Sequence, residues 1–202
     1  MLDAASAVIR AQGLHATTVD DLCRAAGVSK GAFFHHFSSK EELAVAAADH
    51  WSAVTGALFE RAPYHDPVDP ADRVFAYLDF RASLIAGAPA EYTCLVGTMA
   101  QEAFDTSAPV RQACAASIFG HAHTLEADLS AALAASPRGA DVSAASLARY
   151  TQTVLQGAFV LSKAADDPAV VFEAIDHLRC YLECVLGRSS AAADHQEVSD
   201  VQ

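Results

Sequence analysis

Positive charge is scarce in this chain: 13 lysines and arginines stand against 25 aspartates and glutamates, a formal net charge of -12 over 202 residues. A field of that sign repels phosphates at long range, which argues against a general affinity for nucleic acid or anionic membranes. Long apolar runs are missing too. None approaches the ~18 residues of a membrane span, and Asp3 stands where a secretory leader would carry positive charge, so a cytoplasmic protein with no membrane partner is expected. The five cysteines, Cys23, Cys94, Cys114, Cys180 and Cys184, are odd in number and scattered. They show neither a CxxC pair nor zinc-ligand spacing, which argues against a disulfide framework or a metal site. No Gly-x-Ser-x-Gly, HExxH, P-loop or dinucleotide fingerprint occurs, and the glycines are too dispersed to cradle a phosphate. No catalytic residue, cofactor or metal ion is therefore expected.

What the chain does have is 52% hydrophobic residues with alanine recurring throughout, a composition that favours helices. No segment sustains the two-residue alternation of a strand, so the fold class expected is all-α. Leu2, Ala5 and Ile9 share one face of a helix over 2–12, with Gly13 placed as its C-terminal cap. Thr18 and Asp21 have the spacing of a capping box, opening a helix over 19–26 that Gly27 breaks. Ser29 can cap a third helix carrying Lys30 to Phe37, and Ser39 with Glu42 opens a long fourth one running to about residue 60. Pro63, Pro67 and Pro70 crowd the stretch 62–70, which reads as a linker. Beyond it, helices are expected at 71–86, 92–104, 108–135, 143–164 and 168–187, with a small, polar, acidic tail over 188–202. The division expected is a three-helix helix-turn-helix head at 1–50, a larger helical body at 51–187, and that tail.

Charge read by segment changes the first impression. Between Asp21 and Glu41 there is no acidic residue, only Arg24, Lys30, Lys40, His35 and His36. Two short helices joined through a glycine turn form the unit that lays its second helix in the major groove of DNA. On that second helix Val28, Phe33 and Phe37 are placed to pack inward, which leaves Lys30, Gly31, Phe34, His35 and His36 facing out. Lys40 falls in the first turn of the next helix, where the helix dipole disfavours a cation unless an anion such as a phosphate shares the site.

Thr17-Thr18-Val19-Asp20-Asp21-Leu22, then Ala26-Gly27-Val28-Ser29-Lys30-Gly31-Ala32-Phe33-Phe34-His35-His36-Phe37 and Ser39-Lys40-Glu41-Glu42-Leu43, closely resemble the head of the TetR family. The resemblance covers about residues 2–50; the body resembles the family only in length and helical layout. It implies a homodimeric transcriptional regulator, most members being repressors, with two heads on the half-sites of a palindromic double-stranded operator and release by a small-molecule effector in the body. Carried over by position, Thr18, Ser29, Lys30, Gly31, Phe34, His35, His36 and Lys40 are the DNA-facing residues. Phe34 departs from the family, where a tyrosine hydroxyl at this place bonds a phosphate. The basic segment that often precedes the first helix is not part of this sequence, which implies modest affinity or a start further upstream.

For the body, the middle helices offer Phe75, Tyr77, Leu78, Leu84, Leu95, Met99, Phe104, Ile118, Phe119 and Tyr150 as candidate lining of a ligand pocket. Few charged residues fall among them, so an apolar or aromatic effector is expected rather than a phosphorylated one. The last helix repeats Val171, Ile175, Leu178 and Leu182, and the one before it offers Val154, Gly157, Ala158 and Leu161, a pair whose doubling would make a four-helix dimer interface. His121 and His123 point about 200 degrees apart on a helix and cannot chelate one ion together, though one of them is placed to face a cavity. Cys180 and Cys184 share a helical face. They keep open a second reading, a regulator that senses oxidants through Cys94, Cys114 or that pair; a small helical enzyme is the remaining, weaker alternative.

Overall fold

The computed structural model describes residues 1–137 and 141–188, and among them the secondary structure is helical without strands. The expected tail lies outside the described residues except for Arg188, whose guanidinium pairs with Asp69. Residues 138–140, part of the expected break before the penultimate helix, also lie outside them.

The head is built from local signals. Helix α1 (Leu2–Gln12) ends at Gly13, which takes a positive φ of 88° and donates its N–H to the Ile9 carbonyl at 2.8 Å. Helix α2 (Val19–Ala26) opens on the reciprocal box the sequence announced: Thr18 Oγ1 accepts from the Asp21 N–H at 3.1 Å, and Asp21 Oδ2 accepts from the Thr18 N–H at 3.0 Å. Gly27 closes α2 in the left-handed region at φ 66°, a conformation that costs a side-chain-bearing residue about 1 kcal/mol. Ser29 then caps α3 (Lys30–His36) by accepting from the Ala32 N–H at 3.2 Å. The three helices close over Ala5, Leu22, Cys23, Phe33 and Leu43, with Val19, Val28 and Phe37 packed at the margin.

Helix α4 (Lys40–Glu60), capped by Ser39, joins head and body without a break. Its 21 residues extend about 31 Å. Leu43 belongs to the head core; Ala44, Ala47 and Ala48 pack with Leu95, Val96, Met99 and Cys114; Phe59 lies in the large body core. The expected division between residues 50 and 51 thus falls inside a continuous helix.

The body comprises α5 (Pro70–Ser83), α6 (Pro89–Tyr92), α7 (Leu95–Ala103), α8 (Ala108–His123), α9 (Glu126–Ala134), α10 (Ala144–Ala165) and α11 (Ala169–Leu186). Three expectations need correction. The single helix over 108–135 is two, broken at Thr124 and Leu125, where the Thr124 hydroxyl donates to the His121 carbonyl at 2.7 Å and α9 turns to seat Leu129 in the core. The one over 92–104 is also two, because Thr93 and Cys94 are extended and Cys94 caps α7. The proline-rich stretch is no slack linker, since Pro63–His65 forms a 3-10 turn that buries Tyr64 against Phe59 and Tyr77.

Helices α10 and α11 pack closely, and the α11 stripe turns inward. Val171, Ile175, Leu178 and Leu182, with Ala158 of α10, are buried in the chain's own core rather than offered to a second copy. Of the residues expected at an interface, Gly157 and Leu161 are exposed and Val154 is partly so.

Candidate functional site

Helix α3 is anchored by one side chain and displays the rest. Phe33 is wholly buried, its ring 5.1 Å from that of Phe34 and 5.8 Å from that of Phe37. Around that anchor Ser29, Lys30, Gly31, His35 and His36 are exposed, as is Phe34 at 53%. Thr18, also exposed, stands at the start of α2 on the other side of the turn. Each residue that the sequence reading turns outward on α3 is thus exposed.

The cations behave less simply. Lys30 Nζ lies 2.7 Å from Asp20, both side chains exposed, and the exposed Arg24 lies 3.0 Å from the partly buried Asp21. Such surface pairs contribute about 0–1 kcal/mol, so an approaching phosphate can displace either carboxylate. Lys40 is different. Its ammonium donates to the carbonyls of Leu14 and Thr17, each at 2.9 Å, and reaches that of His15 at 3.4 Å. The expected phosphate ligand is instead the clamp that holds the chain between α1 and α2. A cation in the first turn of α4 is tolerated here because the dipoles of these carbonyls solvate it.

Beneath the head, α4, α5, α8 and α10 enclose a cavity of about 530 Å³. Of the expected lining residues, Ile118 and Leu84 are in its wall. Leu78, Leu95 and Met99 are fully buried in packed core, and Phe75 lies against the core beneath the Arg179 guanidinium. Phe104, Phe119 and Tyr150 face outward, at 62%, 58% and 45% exposure, because α7, α8 and α10 turn other faces inward. The wall consists instead of Trp51 and Phe59 from α4, Arg81 and Ile85 from α5 and the segment after it, Phe159 from α10, and Arg10 from the head.

The cavity wall is also backed by a polar chain: His121 and Gln152 are in the wall, and Tyr77, expected from the sequence to line it, is instead buried in the core where it joins the two. Tyr77 accepts from Gln152 Nε2 at 3.1 Å and lies 3.0 Å from His121 Nε2. His121 is in the wall while His123 points out beside Glu126. Burial, with Arg81 nearby, pulls His121 down to about 4, so the imidazole is neutral at physiological pH, and burial pushes the Tyr77 phenol up. Arg81 lies over the rings of Phe59 and Phe159 at 5.3 and 5.5 Å, and Arg10 over Trp51 at 4.9 Å. Arg10 leaves a mark in the sequence as the one cation of α1, whereas Arg81 shares α5 with Arg73 and has no such mark. Among the described residues no group of three or more His, Cys, Asp or Glu is placed to hold a metal. Cys114 is buried and its thiol is pushed up to about 12 by that burial, which leaves no thiolate to react with an oxidant.

Head and cavity are tied by polar contacts. The His15 N–H donates to Glu102 Oε2 at 2.8 Å, Lys163 Nζ donates to the Arg10 carbonyl at 3.2 Å and to Thr98 Oγ1 at 2.8 Å, and Ser107 donates to the Glu41 carboxylate. Glycine suits this joint because its φ of 88° is strained for any side-chain-bearing residue, and a Cβ there would also push aside the movable end of Glu102.

Residues 1–47 match the family described as bacterial regulatory proteins, tetR family, and residues 70–178 match the tetracyclin repressor-like C-terminal domain. An uncharacterized HTH-type transcriptional regulator of Bacillus subtilis, YxaF, is 28% identical over 115 residues, 56% of this chain and 60% of that protein. The HTH-type transcriptional repressor KstR2 of Mycobacterium tuberculosis is 46% identical over 43 residues, 21% of this chain and 22% of that protein. The matched stretches thus span less than two thirds of these relatives. Among solved structures, a regulatory protein TetR from Rhodobacter sphaeroides superposes with a TM-score of 0.78 at 21% identity, covering 88% of this chain and 94% of the other. A TetR transcriptional regulator from Chloroflexus aurantiacus does so at 0.74 and 26%, covering 90% and 91%. The body match alone takes in more than half of the chain, and with the head match ahead of it the chain belongs to the TetR family of bacterial transcriptional regulators.

Proposed function

We propose that the protein is a cytoplasmic homodimeric repressor that grips a palindromic operator through α3 and lets go when a small molecule with an apolar body enters the cavity under the head. The observation that carries this reading is the division of labour on α3: Phe33 fixes the helix, while Lys30, Gly31, Phe34, His35 and His36 stand clear of the fold. A recognition helix needs that combination, because base edges are read by side chains whose own backbone does not move. Repression comes to this chain from the printed name of the KstR2 relative.

Dimerisation follows from need and from surface. One head covers too little groove for tight binding, and α10 exposes Tyr150, Gly157 and Leu161 on one face, with the exposed Tyr181 of α11 against Tyr150. Apolar side chains gathered on one face of a helix pair favour association with a second copy.

The test is a gel-shift titration with the duplex upstream of the protein's own gene, at two salt concentrations, with candidate small molecules added afterwards. Retardation at low salt, weaker at high salt and reversed by a ligand, is the expected result. Failure to retard that duplex or any other at low ionic strength would overturn the reading.

A further inference from the structure

The cavity is apolar in its bulk but not in its charge. Arg10 and Arg81 both line it, yet among the described residues neither forms an ion pair, and neither guanidinium donates a hydrogen bond. Their polar surface is met only by aromatic faces, those of Trp51, Phe59 and Phe159. Arg10 is the more exposed to this cost: its Nε is buried and has no hydrogen-bond partner. A donor held out of water without a partner is unfavourable, and a ligand that accepts from it removes that cost. Nearby cations add to the imbalance, since Lys163 shares with Arg10 an adjoining cavity of about 310 Å³. The desolvation of Arg10, and of Lys163 in the field of Arg10, lowers the affinity of both groups for their protons.

The acidic groups within reach are already used or lie at the rim. Glu91 lines the cavity, but its carboxylate accepts from the Ala88 N–H at 2.6 Å. Glu102, in the adjoining cavity, accepts from His15. Asp49 is exposed. The buried imidazole of His121 is uncharged at neutral pH. Glu91 acts on Arg10 only through its field, and among the described residues no carboxylate forms an ion pair with either guanidinium, while a flat apolar body has ample surface to lie on between Phe59, Ile85, Ile118 and Phe159.

We propose that the effector is an organic acid, a flat apolar body bearing one carboxylate, with the carboxylate bound by Arg10. This rests on the reading of the cavity as the effector site. A guanidinium matches a carboxylate with two parallel N–H···O bonds, and Arg10 is placed so that such a ligand touches the head directly through α1. Trp51 and Phe59, on which Arg10 and Arg81 lie, are eight residues apart on α4, about 12 Å along its axis. Arg10 therefore receives the anion at the head end, and Arg81 supplies positive potential from the far end.

Two fluorescent probes with the same aromatic body separate charge from shape: anilinonaphthalene sulfonate, which carries an anion, and N-phenylnaphthylamine, which does not. Each is titrated into the full chain, its Arg10→Gln variant and its Arg10→Lys variant, with thermal melts run alongside. The expected result is that Arg10→Gln weakens the sulfonate probe by about tenfold or more and changes the neutral probe by less than about twofold, while Arg10→Lys keeps most of the sulfonate affinity. Naphthoate, but not naphthamide, should displace the sulfonate probe. If both probes bind the unaltered chain and Arg10→Gln leaves both unchanged or weakens them equally, the organic-acid inference is overturned and the cavity survives as a neutral site. If neither probe binds, the cavity reading falls, and this inference with it.

Discussion

The head and the body hold their polar groups in different ways. At the helix starts of the head the capping groups are met by neighbours three residues away, Thr18 with Asp21, Ser29 with Ala32 and Ser39 with Glu42, while Lys40 reaches across the chain to the carbonyls of Leu14 and Thr17. Its core, centred on Phe33, Leu22 and Leu43, is small and closed. The body keeps an open volume of about 530 Å³, with two guanidiniums in its wall that no described carboxylate meets. A unit whose local bonds are complete has one shape to offer, whereas unpaired charge beside open space is a place for something from outside. The contrast agrees with the proposal that one end presents a fixed surface and the other receives a ligand.

The comparison breaks most visibly if the head can be lost alone. Phe33→Ala deletes the side chain on which α3 rests and should cost about 3–5 kcal/mol. The expected outcome is loss of duplex binding in a gel shift with N-phenylnaphthylamine fluorescence retained; loss of both would mean that the two units do not stand apart. Acid should act on the body. The folded His121 stays neutral down to about pH 4, while the unfolded imidazole takes up its proton near 6.5. Lowering the pH between those values therefore favours the unfolded chain, by about 2 kcal/mol at pH 5. Urea melts at pH 7 and pH 5 should show that loss in the unaltered chain and not in His121→Gln.

Two lysines sharpen the contrast inside the head. Lys40→Met removes the clamp on the Leu14 and Thr17 carbonyls and should lower stability by about 1–2 kcal/mol, with the salt dependence of duplex binding unchanged. Lys30→Ala should do the reverse, changing stability by less than about 0.5 kcal/mol while making the salt slope shallower by about 1. Equal salt slopes for the two variants would put Lys40 back among the phosphate ligands.

The head was legible in the sequence because its rules act over three or four residues. Capping hydroxyls, left-handed glycines and a phenylalanine anchor can be read without knowing what lies across the fold, and the bounds of α1 and α2 follow from them. The body obeys rules that act at a distance. Nothing between His121 and Glu126 is a glycine or a proline, so the break between α8 and α9 has no local mark; it exists because Leu125 and Leu129 reach the core and Arg73 pairs with Asp128 at 2.6 Å. Likewise Phe104, Phe119 and Tyr150 share helices with cavity or core residues, and only the rotation of each helix, set by its neighbours, turns them outward. Arg10 lies in the stretch read as head, so its membership of the cavity wall depended on a contact across the whole molecule.

Because α4 passes from the α3 support to Phe59 without a kink, it behaves as a stiff rod about 31 Å long. Pivoting such a rod by about 5 degrees at the Phe59 end carries the far end through about 3 Å, as long as a hydrogen bond. On the proposed function, a ligand that wedged two aromatic rings slightly apart would carry α3 out of reach of the bases it touched. Two heads on one duplex, a helical turn apart, would lose their common spacing by twice that amount.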